Sequence, residues 1–185
     1  EIHTIPPIYV EDITLVPNSH NVIDVDAGRG SIKVEIDETS TLPGAIDKMK
    51  CLIRTKEGFE YINVQDANEE QKFLNGKYEV VILTLPRILV TGVKVSQSKT
   101  TSIKIPQPGI ATVVKSIDAY GGIFMYEENE LIKNYTLNDQ KRRETIALQP
   151  GNYRLIYRPK FSADMHSTID KEFEVKSGEN ISLNL

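Results

Sequence analysis

The sequence is poor in the residues on which many activities depend. Its 185 residues include one Cys, no Trp and three His. A lone Cys excludes an internal disulfide framework, and no two His residues stand at the spacing of metal ligands. Lys and Arg number 22 against 26 Asp and Glu, so no basic excess indicates nucleic-acid binding. No apolar run approaches the roughly 20 residues that span a bilayer. We therefore expect no nucleic-acid binding, membrane insertion, cofactor or bound metal.

An internal repeat organises what is present. The segment that starts at Thr4 aligns without gaps with the segment that starts at Thr84, an offset of 80 residues. The offset falls to 73 between Cys51 and Phe124, so the first copy is longer by a seven-residue loop insertion near 37–50. Repeats of this kind define the domain organisation, and they predict two domains, 1–87 and 88–185. Identical or conservative pairs carry the match: Thr4/Thr84, Pro6/Pro86, Ile8/Ile88, Val10/Val90, Ile13/Val93, Leu15/Val95, Ile23/Ile103, Val25/Ile105 and Val34/Val114.

Both ends of the chain fit the same register. The segment from Phe173 aligns with the segment from Val93, again at an offset of 80. We therefore expect the chain to close on the opening strands of a third copy. We also expect it to open inside the closing strand of an earlier copy, which would belong to an upstream region of a larger protein.

Apolar residues alternate with polar ones in most segments, as in Ile13 and Leu15, Ile23 and Val25, or Ile32, Val34 and Ile36. This period of two is typical of half-buried antiparallel strands. Turn-forming Gly, Pro and Asn recur about every ten residues, so each copy has room for about seven short strands. The pattern predicts an all-β chain of two tandem sandwiches. We read the polar stretches Gln65–Lys72 and Asn138–Arg143 as loops. Tyr78 and Tyr153 directly follow a turn, so we expect each to lie at the core edge with a hydrogen-bonded hydroxyl.

The closing half of the second copy resembles known bacterial repeats. Its L-x-P-G-x-Y-x-L-x-Y motif runs from Leu148 to Tyr157, and E-F-E-V-K-S-G-E-N-I-S-L-N-L follows from Glu172. These motifs resemble PEGA-type and Cna-B-like repeats, which implies prealbumin-like (transthyretin-like) antiparallel β-sandwiches. The Pro-x-Gly-Ala signature of PEGA repeats is missing from the second copy. The first copy has only Pro43-Gly44-Ala45.

A second resemblance concerns the joints between copies. H-T-I-P-P at His3 to Pro7 and I-P-Q-P-G at Ile105 to Gly109 are similar to the C-terminal region of secreted bacterial proteins that carry a von Willebrand factor A domain upstream. This resemblance implies an exported accessory module in the periplasm, at the cell surface or secreted.

No group of residues indicates catalysis. Cys51 aligns with Phe124, so we interpret it as a core position rather than a nucleophile. Asp24 and Asp26 alternate as in the opening of a calcium loop, but the remaining ligands of such a loop are missing, and we place both on a solvated strand face. No Glu-Thr-x-Ala-Pro segment indicates an isopeptide crosslink. We predict no catalytic, cofactor or metal residues, and no enzyme.

Two places are candidates for partner binding. The insertion in the first copy carries Leu42, Ile46 and Met49 among polar residues, and loops on rigid sandwiches often bind partners. In the second copy, Tyr120 and Tyr126 could form an aromatic platform. The leading hypothesis is a stalk, spacer or docking unit whose partner is another protein or an upstream domain of the same chain. The alternative is recognition of a glycan or the cell wall.

Overall fold

The computed structural model describes residues 2–37, 49–161 and 167–185, and the regular elements in them are all β-strands. In these residues no helix is long and apolar enough to cross a membrane. The strands are β1 (Arg29–Asp37), β2 (Lys50–Thr55), β3 (Tyr61–Asp66), β4 (Glu70–Leu74), β5 (Gly76–Ile82), β6 (Ile88–Val95), β7 (Thr100–Pro106), β8 (Gly109–Val114), β9 (Ala119–Glu127), β10 (Glu130–Thr136), β11 (Arg143–Leu148), β12 (Gly151–Pro159), β13 (Ile169–Val175) and β14 (Asn180–Asn184).

The strands form two sandwiches of the same design. The first has a three-stranded sheet of order β4-β1-β7 and a four-stranded sheet of order β3-β2-β5-β6. The second repeats this arrangement as β11-β8-β14 and β10-β9-β12-β13. The all-β sandwich class predicted from the sequence is confirmed. The pairing is mainly antiparallel, but β14 runs parallel to β8.

The domain boundary predicted at residue 87 differs from the division seen in the structure. Strand β6 pairs with β5 from Gly76↔Val95 to Ile82↔Ile88, and β7 lies next to β1. The first compact unit accordingly takes in Ile88–Lys104, whereas Ile105–Leu185 belongs to the second. A repeat in the sequence gives the length of one copy but not the residue at which a domain begins. The pairing of the strands decides which of them belong to one sandwich. The folding unit is therefore shifted along the chain relative to the predicted copies.

Two local predictions also differ from the structure. The strands expected around Ile13 to Leu15 and Ile23 to Val25 are not formed, because residues 9–28 contain no strand. Conversely, part of the stretch read as a loop is strand β4, which pairs with β1 from Arg29↔Leu74 to Lys33↔Glu70. Polar side chains on β4 hid an edge strand, each residue of which pairs with β1.

Each core contains one tyrosine at the same turn, as predicted. The Tyr78 hydroxyl donates to the Leu74 carbonyl at 2.8 Å, and the Tyr153 hydroxyl donates to the Gln149 carbonyl at 2.6 Å. Both rings are buried. Burial raises the pKa of Tyr153 to about 12, since the interior disfavours the phenolate. The prediction of core-edge tyrosines with bonded hydroxyls is confirmed.

In each sandwich, one glycine lets the first strand approach the turn between the last two strands. A Cβ at Gly30 would overlap the Ser96 carbonyl of the β6–β7 turn, and a Cβ at Gly109 would overlap the Lys176 carbonyl of the β13–β14 turn. Only glycine allows backbones to come this close. The two final strands are thus fastened to the first strand in the same way in both units.

Candidate binding face of the second unit

Strand β9 presents aromatic side chains to solvent. Tyr120 and Tyr126 are 53% and 54% exposed, and Phe124 is half-buried between them. Because side chains alternate along a strand, these three residues share one face. The two tyrosines are about 20 Å apart along the strand. We call the surface formed by Tyr120, Tyr126 and the cations beside them the aromatic face.

An arginine from the neighbouring strand covers one tyrosine. Arg154 of β12 places its guanidinium carbon 5.7 Å from the centre of the Tyr126 ring and donates from Nη1 to the Tyr126 hydroxyl at 2.9 Å. Asp170 of β13 holds the same guanidinium through Nε at 3.0 Å and Nη2 at 2.6 Å. These bonds raise the pKa of Arg154, with the contact to Asp170 as the largest cause. The bidentate grip fixes the arginine in place.

A lysine stands over the other tyrosine in a similar way. Lys160 follows β12, and its Nζ lies 5.5 Å from the centre of the Tyr120 ring. The same Nζ donates to Asp139 Oδ2 at 3.1 Å, and this bond is the main cause that raises the pKa of Lys160. The distances of the two cations from their tyrosine rings, 5.7 Å for Arg154 and 5.5 Å for Lys160, are within the range of cation–π attraction.

The aromatic face combines flat apolar rings with hydrogen-bonding groups held in fixed positions. Exposed rings of this kind stack on apolar faces of ligands, while fixed cations orient polar groups. The sequence identified Tyr120 and Tyr126 but not Arg154 or Lys160. Both cations come from or directly follow β12, which pairs with β9 from Arg154↔Phe124 to Pro159↔Ala119. A prediction of that pairing would have revealed them.

The other predicted binding residues lie elsewhere. Leu42 and Ile46 fall outside the described residues. Met49 is buried, and its carbonyl accepts a hydrogen bond from the Ala67 amide at 2.8 Å. Met49 therefore offers no exposed apolar surface, because its side chain packs inward just before β2.

A buried ion pair in the second unit was missed by the sequence analysis. Lys115 Nζ lies 3.1 Å from Glu144 Oε1, and both side chains are almost fully buried. The lysine also donates to the Asn138 carbonyl, while Glu144 accepts from the Asn138 amide at 3.0 Å and the Tyr135 hydroxyl at 3.0 Å. The charges of Lys115 and Glu144 neutralise each other, and the hydrogen bonds tie the loop after β10 to the end of β8 and to β11. The side-chain oxygen of Asn138 lies outside this network and accepts a hydrogen bond from the Gln140 amide at 3.0 Å.

Cys51 and Asp26, the other residues considered for chemistry, have surroundings that suit a structural role. Cys51 is fully buried on β2, and burial raises its pKa to about 11, so the thiol is protonated and unreactive at neutral pH. Its interpretation as a core residue is confirmed. Asp26 accepts a hydrogen bond from the Gly28 amide at 3.1 Å, which closes a local turn. Among the described residues, no group of three or more His, Cys, Asp or Glu side chains could hold a metal ion.

Comparisons with known proteins find similarity only at the level of structure. No protein-family model matches the chain, and no curated protein matches it. It is similar to the Bacillus anthracis TIE protein, with 14% identity over 85% of this chain and 34% of that chain, at a TM-score of 0.31. It is also similar to the streptococcal ancillary pilin, with 14% identity over 86% of this chain and 63% of that one, at 0.33. A third similarity is to the minor pilin of Streptococcus agalactiae, with 11% identity over 85% of this chain and 94% of that one, at 0.32. The chain spans about a third of the length of the first protein and under two thirds of the second.

Proposed function

We propose that this chain is a non-catalytic spacer that carries tension within a bacterial surface protein. The observation that supports this role is the pairing of the first and last strands of the second unit. Strand β14 runs parallel to β8 from Asn180↔Ile110 to Asn184↔Val114. Beyond the strand, the Leu185 amide donates to the Val114 carbonyl at 2.8 Å.

This pairing determines how a pull on the chain acts on the unit. The chain enters the unit through β8 and leaves it through β14. A pull from the two ends draws two parallel neighbours past each other, so every hydrogen bond between them is loaded at once. A pull that separates them from the same end would break the bonds one after another. The first unit has the corresponding neighbours β1 and β7, with the Ser31 amide bonded to the Lys99 carbonyl at 2.8 Å.

Single-molecule force spectroscopy on the full chain tests the proposal. Pulling from the two ends should give two unfolding events, each releasing about 25 nm of chain. The matched control places both handles at the same end of the β8–β14 pair, on cysteines introduced at Pro106 and Glu179, which are exposed. We expect the second unit to unfold at a clearly lower force in this geometry. Equal forces in the two geometries would contradict the role as a spacer under tension.

The aromatic face supports a second candidate function, the binding of a surface glycan. Sugar rings stack on exposed aromatic rings, and Tyr120 and Tyr126 would contact different sugars of one chain because they are about 20 Å apart. Affinity electrophoresis in gels that contain cell-wall polysaccharide would detect this binding. Tyr126→Ala should abolish the retardation, whereas Tyr61→Ala, at an exposed tyrosine of the first unit, should leave it unchanged. Equal retardation of all variants would exclude the aromatic face as a glycan site.

The proposal includes an exported location, which rests on the resemblance to Cna-B-like repeats. Fractionation of the source cells with an antibody against the chain would test it, because recovery only from the cytosol contradicts export. The arrangement behind a von Willebrand factor A domain stays a prediction from the joint motifs at His3 to Pro7 and Ile105 to Gly109.

A further inference from the structure

We call the last two strands of a sandwich, β6–β7 or β13–β14, its closing pair. Residues 8–26 have the sequence of a closing pair but form no strands. They align without gaps with residues 88–106, which contain β6 and β7. The only pairing recorded for them in the described chain is a bridge between Ile2 and Ile8. The alternating sequence pattern and the local structure therefore disagree over residues 9–26.

The strand order explains why a closing pair fails to form strands by itself. In both complete sandwiches the last two strands lie in opposite sheets. Strand β6 lies on β5 and β7 on β1, and likewise β13 lies on β12 and β14 on β8. The two members of a closing pair bond to other strands of the sandwich, so residues 8–26 need partners equivalent to β5 and β1.

The apolar side chains that would face such partners are open to solvent. Ile13 and Leu15 are 49% and 67% exposed, whereas Val93 and Val95 at the equivalent positions of β6 are 6% and 2% exposed. The difference means that the alternating apolar positions are present but that no core among the described residues covers them. Apolar residues exposed in such a pattern mark an interaction surface.

The backbone of this segment already bends where the closing pairs bend. Asp12 and Asn18 have φ angles of 55° and 56°. Their repeat equivalents Gly92 and Ser98 have φ angles of 71° and 56°. Left-handed residues are uncommon outside glycine, and Asp and Asn are the types that tolerate this region best. The segment therefore has the turns of a closing pair without its sheets.

The joint that leads into the segment is also built as in the complete copy. The Thr4 hydroxyl donates to the Pro6 carbonyl at 2.7 Å, and the Thr84 hydroxyl donates to the Pro86 carbonyl at 2.5 Å. Residues 83–87 connect β5 to β6. Residues 3–7 therefore have the form of a connection between a fifth and a sixth strand.

Each joint is held by the sandwich that follows it in the chain. The Ile5 carbonyl accepts from the Leu74 amide at 2.8 Å, at the turn between β4 and β5. The Leu85 carbonyl accepts from the Gln149 amide at 2.7 Å, at the corresponding turn between β11 and β12. The contact of residues 3–7 with the first unit thus repeats the contact of residues 83–87 with the second.

We propose that residues 8–26 are the sixth and seventh strands of a third sandwich. Their partner is a five-stranded segment of the same repeat, equivalent to β1–β5 and joined covalently ahead of Thr4. Its fifth strand would pair with residues 8–15, and its first strand would lie beside residues 20–26. Ile13, Leu15 and Ile23 would then enter its core.

A chimera tests whether residues 8–26 can close a sandwich. In the full chain, residues 88–106 are replaced by a second copy of residues 8–26, which has equal length. We expect the amides of the inserted copy to exchange hydrogen about a hundredfold more slowly than those of the original copy in the same molecule. The control carries serines in place of the isoleucine and leucine of the inserted copy that correspond to Ile13 and Leu15. Protection that is equally absent with and without the serines would overturn the proposal.

Two further measurements do not depend on the chimera. In the unmodified chain, the variant Ile13→Ser/Leu15→Ser should melt within about 1 °C of the parent, because exposed sites contribute little, whereas Val93→Ser/Val95→Ser should unfold the first unit. A lower melting temperature for the first variant would mean that these residues pack within this chain, against the proposal.

The second measurement adds the partner. A copy of residues 29–83 fused ahead of Thr4 should protect the amides of residues 8–26 from exchange. The same copy supplied as a separate chain should protect them less. No protection in the fusion, or protection only by the separate chain, would contradict a covalently joined partner.

Discussion

Removing the positive charge of the buried Lys115–Glu144 pair should strongly lower the unfolding free energy of the second unit. Lys115→Met keeps the length and apolar stem of the side chain but deletes the ammonium that lies 3.1 Å from Glu144. The carboxylate would retain its bonds from the Asn138 amide and the Tyr135 hydroxyl. It would nevertheless stand as an unpaired charge in a site where both side chains are almost inaccessible.

The expected size follows from this burial. Breaking a buried ion pair by removing one partner costs about 3–5 kcal/mol, because the remaining charge is left without its counterion. For a unit of this length the melting temperature should fall by about 10 °C or more. The double variant Lys115→Met/Glu144→Gln removes both charges while keeping an acceptor for the Asn138 amide. It should therefore be more stable than Lys115→Met alone.

Urea denaturation followed by amide NMR would measure the transition of each unit separately. The matched control is Lys50→Met in the first unit, which breaks the half-exposed pair of Lys50 with Asp66, 2.7 Å apart. Surface pairs of this kind contribute about 0–1 kcal/mol. Equal, small losses of unfolding free energy for Lys115→Met and Lys50→Met would refute the reasoning. So would a double variant whose loss of unfolding free energy equals the sum of the losses in Lys115→Met and Glu144→Gln.

Three further predictions concern the cores. Folding raises the pKa of Cys51 from 9.0 to about 11 and that of Tyr153 from 10.0 to about 12. The unfolded chain therefore loses these two protons at a lower pH than the folded chain does. Stability should be constant up to about pH 9 and fall by about 2–3 kcal/mol per group as the pH rises to about 12; denaturation at several pH values measures this, and Cys51→Ala should remove the part between about pH 9 and 11. Tyr78→Phe and Tyr153→Phe should each cost about 0.5–1.5 kcal/mol in the unfolding free energy of their own unit, and a loss shared by both units would contradict the assignment. Ellman's reagent should label Cys51 only as fast as the first unit unfolds, and immediate labelling of the native chain would show that the thiol is accessible.

The sequence predicted the sandwiches because their signals are local. Alternation in Ile32, Val34 and Ile36 becomes the buried face of β1, and the turn before Tyr78 and Tyr153 sets both hydroxyl bonds. Alternation marks which segments can be strands, but it does not give their partners. Residues 9–26 have the pattern but pair with no strand in the described part of the chain. The boundary predicted at residue 87 separated β6 from β5, with which it pairs.

The candidate sites show the same limit. Tyr120 and Tyr126 are visible in the sequence because they alternate on one strand. Arg154 reaches Tyr126 only through the pairing of β9 with β12. Lys115 looks like an ordinary polar residue at a strand end, and its burial depends on Glu144, which lies on another strand. Contacts of long sequence separation decide both sites.

Hydrogen exchange in two core variants tests most directly whether β6 and β7 complete the first sandwich. Ile53 of β2 and Leu155 of β12 are both fully buried, and either change to Ala should lower the stability of its own unit by about 2–5 kcal/mol. Ile53→Ala should accelerate exchange in β6 and the start of β7 together with β1–β5, while β8–β14 keep their protection. If β6 and β7 instead lose protection in Leu155→Ala and keep it in Ile53→Ala, the two sandwiches are not divided as described.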